Sequence, residues 1–221
     1  RLSKAARGTF VEQFGAALRE YGFVRVRGHG VSAELVERAY LAAKRFFYQD
    51  ADTKKTFVVP GQAGQRGYTP FRAESAKYTD VPDLKEFFHV GRELSPEQSL
   101  GGRYVPNVWP ELTDFREALL ELYSALESCG DQLLQALALH LDLQEDCFTG
   151  MTQDGDSVLR LLHYPATDDH TYIPGAIRAA AHEDINFITL LLTSTASGLE
   201  ILDRTGTWIG VNADVGEIVV D

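Results

Sequence analysis

This chain has little that would build a disulfide scaffold, a membrane span or a polyanion-binding surface. Of its 221 residues only two are cysteine, Cys129 and Cys147. Two thiols make no disulfide framework and suit a reducing compartment, so the expected location is the cytoplasm. No run of about 18 apolar residues occurs, so no segment is expected to cross a bilayer as a helix. Cationic residues are short: 21 Lys and Arg stand against 32 Asp and Glu, for a net charge of −11. Without a basic patch to release phosphate counterions, a nucleic-acid partner is not expected. No signal peptide, internal repeat or low-complexity tract is visible, and the chain begins at Arg1 rather than Met. What remains, 44% hydrophobic and 24% charged, is an ordinary globular composition, long enough for one sizeable domain. Oligomeric state is not written in it.

Helical periodicity dominates the first part. Phe10, Phe14, Ala17, Leu18 and Tyr21 form a stripe over residues 3–21 that Gly22 stops. Residues 23–27 alternate as a strand, and Ser32 can cap a second helix reaching about Tyr48. Residues 60–108 are rich in Pro, Gly, Tyr and Arg and read as a long irregular segment with short strands. Pro110 is expected to open the longest helix, carried to about Leu141 by Leu residues three and four apart, with a short helical piece at 144–151. From Ser157 short strands take over, at 158–164, 177–186, 187–193, 198–203, 207–211 and 217–221. Helices first and strands later make an α+β fold, the strands spaced as in a sandwich or barrel.

Histidine is scarce, and its last occurrence is the most informative. In the apolar run 179–192, His182 and Asp184 stand two apart, so on a strand they share one face while Glu183 turns away. An imidazole and a carboxylate on one rigid face can occupy adjacent positions on an octahedral metal. That is two thirds of the 2-His-1-carboxylate triad of non-heme Fe(II) oxygenases; a hydrogen-bonded His–Asp pair is the plainer alternative.

The chain resembles the isopenicillin N synthase-like branch of the Fe(II)- and 2-oxoglutarate-dependent oxygenases along its whole length. Gly22-Phe-Val-Arg-Val-Arg-Gly-His-Gly-Val31 is similar to the family's N-terminal strand and turn. Arg66-Gly-Tyr68, Asp83-Leu-Lys-Glu-Phe87 and Asn107-Val-Trp-Pro110 follow in order. Leu162-His-Tyr-Pro165 stands where the family has Asn-x-Tyr-Pro, and His182-x-Asp184 is the metal motif. Gly198-Leu-Glu-Ile201, Gly206-Thr-Trp208 and Gly216-Glu-Ile-Val-Val-Asp221 resemble the strands beyond it.

The resemblance implies a double-stranded β-helix, or jelly roll, with N-terminal helices packed outside. It implies one oxygenase domain over 1–221, with a helical and loop part at 1–156 and the first jelly-roll strands at 157–221. It also implies Fe(II), 2-oxoglutarate and O₂ as cofactor and cosubstrates, with His182 and Asp184 as metal ligands. The family's second His lies farther past the carboxylate than the 37 residues that follow Asp184 here, and its Arg-x-Ser lies farther still. The expectation is therefore that the jelly roll is incomplete and the chain a fragment.

Other residues take roles from the same resemblance. Tyr164 matches the Tyr whose hydroxyl reaches the cosubstrate or substrate carboxylate. Leu162 replaces the family's Asn, and His163 is expected to face away from Tyr164. Arg66 and Tyr68 fall where relatives use polar side chains near the substrate; a solvated loop Arg is the alternative. Arg160 shares the Tyr164 face and is left open between an acid partner and the rim. Lys85 and Glu86 are expected on solvated surface, with charges placed beside the pocket as the alternative, His29 as a structural hydrogen bonder, and His140 and His170 as exposed.

The expected function is oxygenation of a small molecule, hydroxylation or desaturation, coupled to 2-oxoglutarate decarboxylation. An isopenicillin N synthase-type oxidase that dispenses with 2-oxoglutarate, and a jelly roll that binds a small acid without catalysis, are the alternatives.

Overall fold

The computed structural model describes residues 3–62, 64–75, 81–93, 105–166 and 173–221. His170 lies outside them. Helix α1 (Lys4–Tyr21) begins where the Ser3 hydroxyl accepts the Ala6 N–H at 3.2 Å. It ends at Gly22, whose φ of 73° is the left-handed conformation that glycine adopts without strain. Strand β1 (Val24–Arg27) leads to α2 (Ala33–Phe47), which buries Leu35, Ala39, Ala42, Phe46 and Phe47, the stripe its periodicity predicts. A short α3 (Ala51–Lys55) is capped by Asp50, whose carboxylate accepts the Thr53 N–H at 2.8 Å. Then come β2 (Gly67–Thr69), β3 (Glu86–Gly91), α4 (Phe115–His140), α5 (Thr149–Thr152) and β4 (Val158–His163). The chain closes with β5 (Leu190–Leu192), β6 (Glu200–Leu202), β7 (Trp208–Gly210) and β8 (Glu217–Val220). The α+β class is as expected.

The long helix and the segment 177–186 differ most from the sequence reading. The long helix starts at Phe115, not Pro110, because Asp114 has φ 64° and cannot continue a right-handed helix. Arg38 holds Asp114 there with two bonds, 3.1 and 2.8 Å. Residues 177–186 form no strand. Their backbone is tied at separate points, the Leu84 N–H to Ile177 O and the Ala180 N–H to the Asp83 carboxylate, both at 2.9 Å, rather than along a ladder. Residues 181–187 are exposed in consequence.

The chain divides into two compact units. The first holds residues 1–33, 124–155 and 185–221, with antiparallel sheets of order β1-β8-β5 and β6-β7. Its core includes Phe14, Val26, Leu133, Ile218, Val219 and Val220. Here His29 is structural: Nδ1 accepts the Val31 N–H at 3.3 Å, so Nε2 donates to Gly216 O at 3.1 Å. His140 is not exposed but packs its ring against Gly15, leaving no room for a Cβ there.

The second unit holds residues 34–123 and 156–184, built on the antiparallel sheet β2-β3-β4. Every residue of β3 is buried, which is why periodicity did not reveal this strand: burial on both faces removes the alternation. Its register gives the sheet two distinct faces. Glu86, Phe88 and Val90 lie opposite His163, Leu161 and Leu159, while Phe87 and His89 lie opposite Leu162 and Arg160. On the first face Phe46 meets Phe57, Tyr68, Phe88 and Phe115 with ring centroids 4.8 to 5.8 Å apart. Such contacts add about 0.5–1.5 kcal/mol each beyond area burial.

Candidate metal and substrate site

His182 and Asp184 converge although no strand carries them. His182 Nε2 lies 3.5 Å from Asp184 Oδ1. His182 Nδ1 is 2.8 Å from Ala180 O, an atom that can only accept, so Nδ1 carries the proton and Nε2 offers its lone pair beside the carboxylate. A metal-bound imidazole is oriented in this way, by giving its other N–H to a carbonyl. Two ligands about 2.1 Å from a metal and at right angles lie about 3 Å apart, so the pair fits adjacent octahedral positions. Among the described residues, no group of three or more His, Cys, Asp or Glu converges on one point.

The neighbouring Asp83 holds this segment. Its carboxylate, buried, accepts the Ala180 N–H at 2.9 Å and pairs with Lys85 Nζ at 2.9 Å. Lys85 also reaches Glu74 at 3.2 Å. Glu74, Asp83, Lys85, Arg160 and His182 line one open depression of about 440 Å³. Lys85 and Glu86, expected on solvated surface, are both buried.

Strand β4 supplies the rest. Arg160 shares its sheet face with His89, and its Nε donates to His89 Nε2 at 2.6 Å. Tyr164, four residues on, is partly exposed, and burial raises its phenol above the ordinary value; Lys85 lowers it and Asp83 raises it by smaller amounts. His163 does face the other way: its Nδ1 lies 2.7 Å from Glu86 Oε1 and its ring stacks on Phe47.

Arg66 and Tyr68, expected beside substrate, are instead built into the frame of this unit. Tyr68 pairs with Phe88, on the face opposite Arg160, and its hydroxyl donates to Glu86. Arg66 is 1% exposed and spends its guanidinium on Val105 O at 3.2 Å, Gln65 O at 2.7 Å and Asp156 at 2.5 Å. It also fills the space a Cβ on Gly91 would need. Neither lines the depression. The sequence reading missed His89, gave Asp83 no role beyond its motif, preferred solvated surface for Lys85, and left Arg160 open; the spacing Phe87-x-His89 would have identified the face had β3 been recognised.

Comparison with known proteins supplies the frame for this geometry. Residues 1–112 match the family model for the non-haem dioxygenase in morphine synthesis N-terminal region, and residues 155–221 that of the 2OG-Fe(II) oxygenase superfamily. The chain belongs to that superfamily. The 2-oxoglutarate-Fe(II) type oxidoreductase hxnY of Emericella nidulans is 33% identical over 228 residues, covering 98% of this chain and 65% of the relative. This chain thus spans just under two thirds of that oxidoreductase's length. A 2OG-Fe(II) oxygenase family protein of Caulobacter crescentus superposes with a TM-score of 0.86 at 39% identity, covering 99% of this chain and 70% of that one. A full-length Neurospora crassa protein in complex with alpha-KG and thymine superposes with a TM-score of 0.85 over 99% of this chain and 69% of its own; at 24% identity it speaks for the fold. The fold shared with these oxygenases is the jelly roll with flanking helices, as the resemblance implied. The His182–Asp184 pair stands within residues 155–221, the part of the chain that the superfamily model covers.

Proposed function

We propose that the complete protein is an Fe(II)-dependent oxygenase that couples 2-oxoglutarate decarboxylation to hydroxylation or desaturation of a small molecule. The observation that carries this reading is the His182–Asp184 pair, 3.5 Å apart with the imidazole tautomer set by Ala180 O. These two side chains would hold the metal, which supplies activation of O₂ when bound. The chain's own residues supply geometry. Asp83 anchors the backbone at Ala180, and so the rotamer of His182. Tyr164 offers a hydroxyl, protonated at neutral pH, that can donate to a carboxylate of the cosubstrate. Two free thiols, Cys129 and Cys147, suit a reducing compartment, and a cytoplasmic location is part of the same proposal.

The test is incubation of the complete protein with Fe(II), O₂, 2-oxoglutarate and candidate small molecules, following succinate and O₂. Fe(II)-dependent succinate release, lost in H182A and D184A, is expected. Oxygen uptake coupled to product without succinate would point to the isopenicillin N synthase-type oxidase instead. Ligand binding with neither Fe(II) dependence nor oxygen uptake would leave a binding jelly roll.

A further inference from the structure

Tyr68 and Glu86 form a buried proton donor and acceptor that oxygenation of a substrate does not use. Tyr68 is 4% exposed, and its hydroxyl donates to the Glu86 carboxylate. Burial and that carboxylate raise the phenol above its ordinary value, so it keeps its proton in the resting protein. Glu86 stays ionised: burial opposes this, but bonds from His163, Lys54 and Tyr68 outweigh it. Loss of an electron turns a phenol into a strong acid, and a base already in contact takes the proton in the same event. The Lys54 ammonium, 5.5 Å from the centre of the Tyr68 ring, repels a positive ring, so electron loss without proton loss is disfavoured.

The surroundings preserve what such a step would form. Phe46 meets the Tyr68 ring at a centroid distance of 5.7 Å and is itself packed against Phe57, Phe88 and Phe115. A radical there is kept from coupling with a second tyrosine. The transferred proton is held as well. The other partners of Glu86, Lys54 Nζ and the His163 Nδ1–H, are donors, so the proton stays on the carboxylate and can return with an electron. Strand β3 joins this pair to the surroundings of the metal pair: Lys85, just before it, lines the depression with His182, and Glu86 is its first residue.

We propose that Tyr68 is a redox-active tyrosine, with Glu86 as its proton acceptor, that gives an electron to the oxygen-activating site when no substrate is there to be oxidised. In the step the phenolic O–H bond breaks. The electron reduces the oxidant generated from O₂, the proton forms an O–H bond on the Glu86 carboxylate, and a neutral tyrosyl radical remains. One electron from an external thiolate and the proton held by Glu86 restore Tyr68. The electron-donor role rests on the oxygenase reading above; the Tyr68–Glu86 redox pair does not.

The pair is tested first in the complete, metal-free protein, oxidised by a light flash with tris(bipyridyl)ruthenium(II) and persulfate and followed by electron paramagnetic resonance. The chain has nine tyrosines, so the assignment rests on lifetime and on variants. A tyrosyl signal that outlives those of exposed tyrosines is expected, and Y68F should lack it. E86Q keeps an oxygen that can accept the phenolic O–H but is no base for its proton. Formation of the lasting signal should slow about 100-fold in it, the scale of general-base assistance. In the unmutated protein the rate should not change with buffer concentration, because the base is internal, and this readout needs no variant to fold. The proposal is overturned if no lasting signal forms, if Y68F keeps it, if E86Q forms it at the parental rate, or if added buffer base speeds it. The second arm is the complete protein with Fe(II), 2-oxoglutarate and O₂ but no substrate. The same signal is expected, and Y68F should inactivate severalfold faster. Succinate release without a signal from Tyr68 would overturn the electron-donor role. Absence of succinate would defeat the oxygenase reading separately, and the flash experiment then decides the Tyr68 pair alone.

Discussion

Lys54 Nζ lies 2.9 and 2.7 Å from the two carboxylate oxygens of Glu86, and both side chains are buried. The ammonium also donates to Phe47 O at 3.1 Å and sits 5.5 Å from the centre of the Tyr68 ring. Burial alone would raise the Glu86 carboxyl, but bonds from His163, Lys54 and Tyr68 outweigh it and leave it below the ordinary carboxylate range. Removing one partner strands the other charge. K54M is expected to destabilise the protein by about 3 kcal/mol, measured by denaturant unfolding. Adding E86L should recover much of that loss, because both charges are then gone. A K54M variant as stable as the parent would show that Tyr68 and His163 suffice to hold Glu86.

His89 makes stability depend on pH in a defined window. Its folded pKa, about 4, lies below the ordinary 6.5, so the unfolded chain binds the proton more readily between those values. Stability is therefore full above pH 6.5 and falls as pH drops towards 4, by about 3 kcal/mol for a shift of this size. Carboxylates with lowered pKa, such as Glu86, contribute their own losses lower on the scale. The His89 share is isolated by comparison: H89Q should unfold with a flatter dependence between pH 6.5 and 4 than the parent chain. Identical slopes would mean that His89 is protonated in the folded protein.

Helical stripes and the His182–Asp184 pair were legible in sequence because each rests on local spacing. The buried face of α2 follows from apolar residues three and four apart. His182 and Asp184 were found by motif, and their convergence survives although the strand invoked for it is absent. What aligns them is a loop held by Asp83. The frame around the site was not legible for the opposite reason. β3 has no alternation to detect, so the segment carrying His89 read as irregular. Arg66 took its substrate role from the resemblance, with a solvated loop Arg as the alternative, whereas Val105, Gln65 and Asp156 close around it inside the unit.

Asp83 tests whether the metal pair depends on its backbone anchor. D83A removes the acceptor for the Ala180 N–H and one partner of buried Lys85. Loss of a supporting contact behind a metal-binding His costs about 10- to 100-fold in affinity, and this is the expected weakening of Fe(II) binding, measured by anaerobic titration. D83N keeps an acceptor oxygen and should retain more affinity than D83A. Unchanged Fe(II) binding in D83A would mean that His182 is placed without help from Ala180.

Arg66 separates scaffold from substrate recognition most directly. Its side chain is 1% exposed, and Asp156, which it meets at 2.5 Å, is about half exposed. Truncation in R66A leaves Val105 O and Gln65 O without their donor and opens a void beside Gly91. The expected cost is about 3 kcal/mol of unfolding free energy. Lysine cannot reproduce three bonds spread over a planar fork, so R66K should recover little of it. If Arg66 instead served the substrate, R66A would raise KM and leave the unfolding transition in place. The buried geometry predicts the reverse, a lower unfolding midpoint with KM unchanged in the fraction that remains folded.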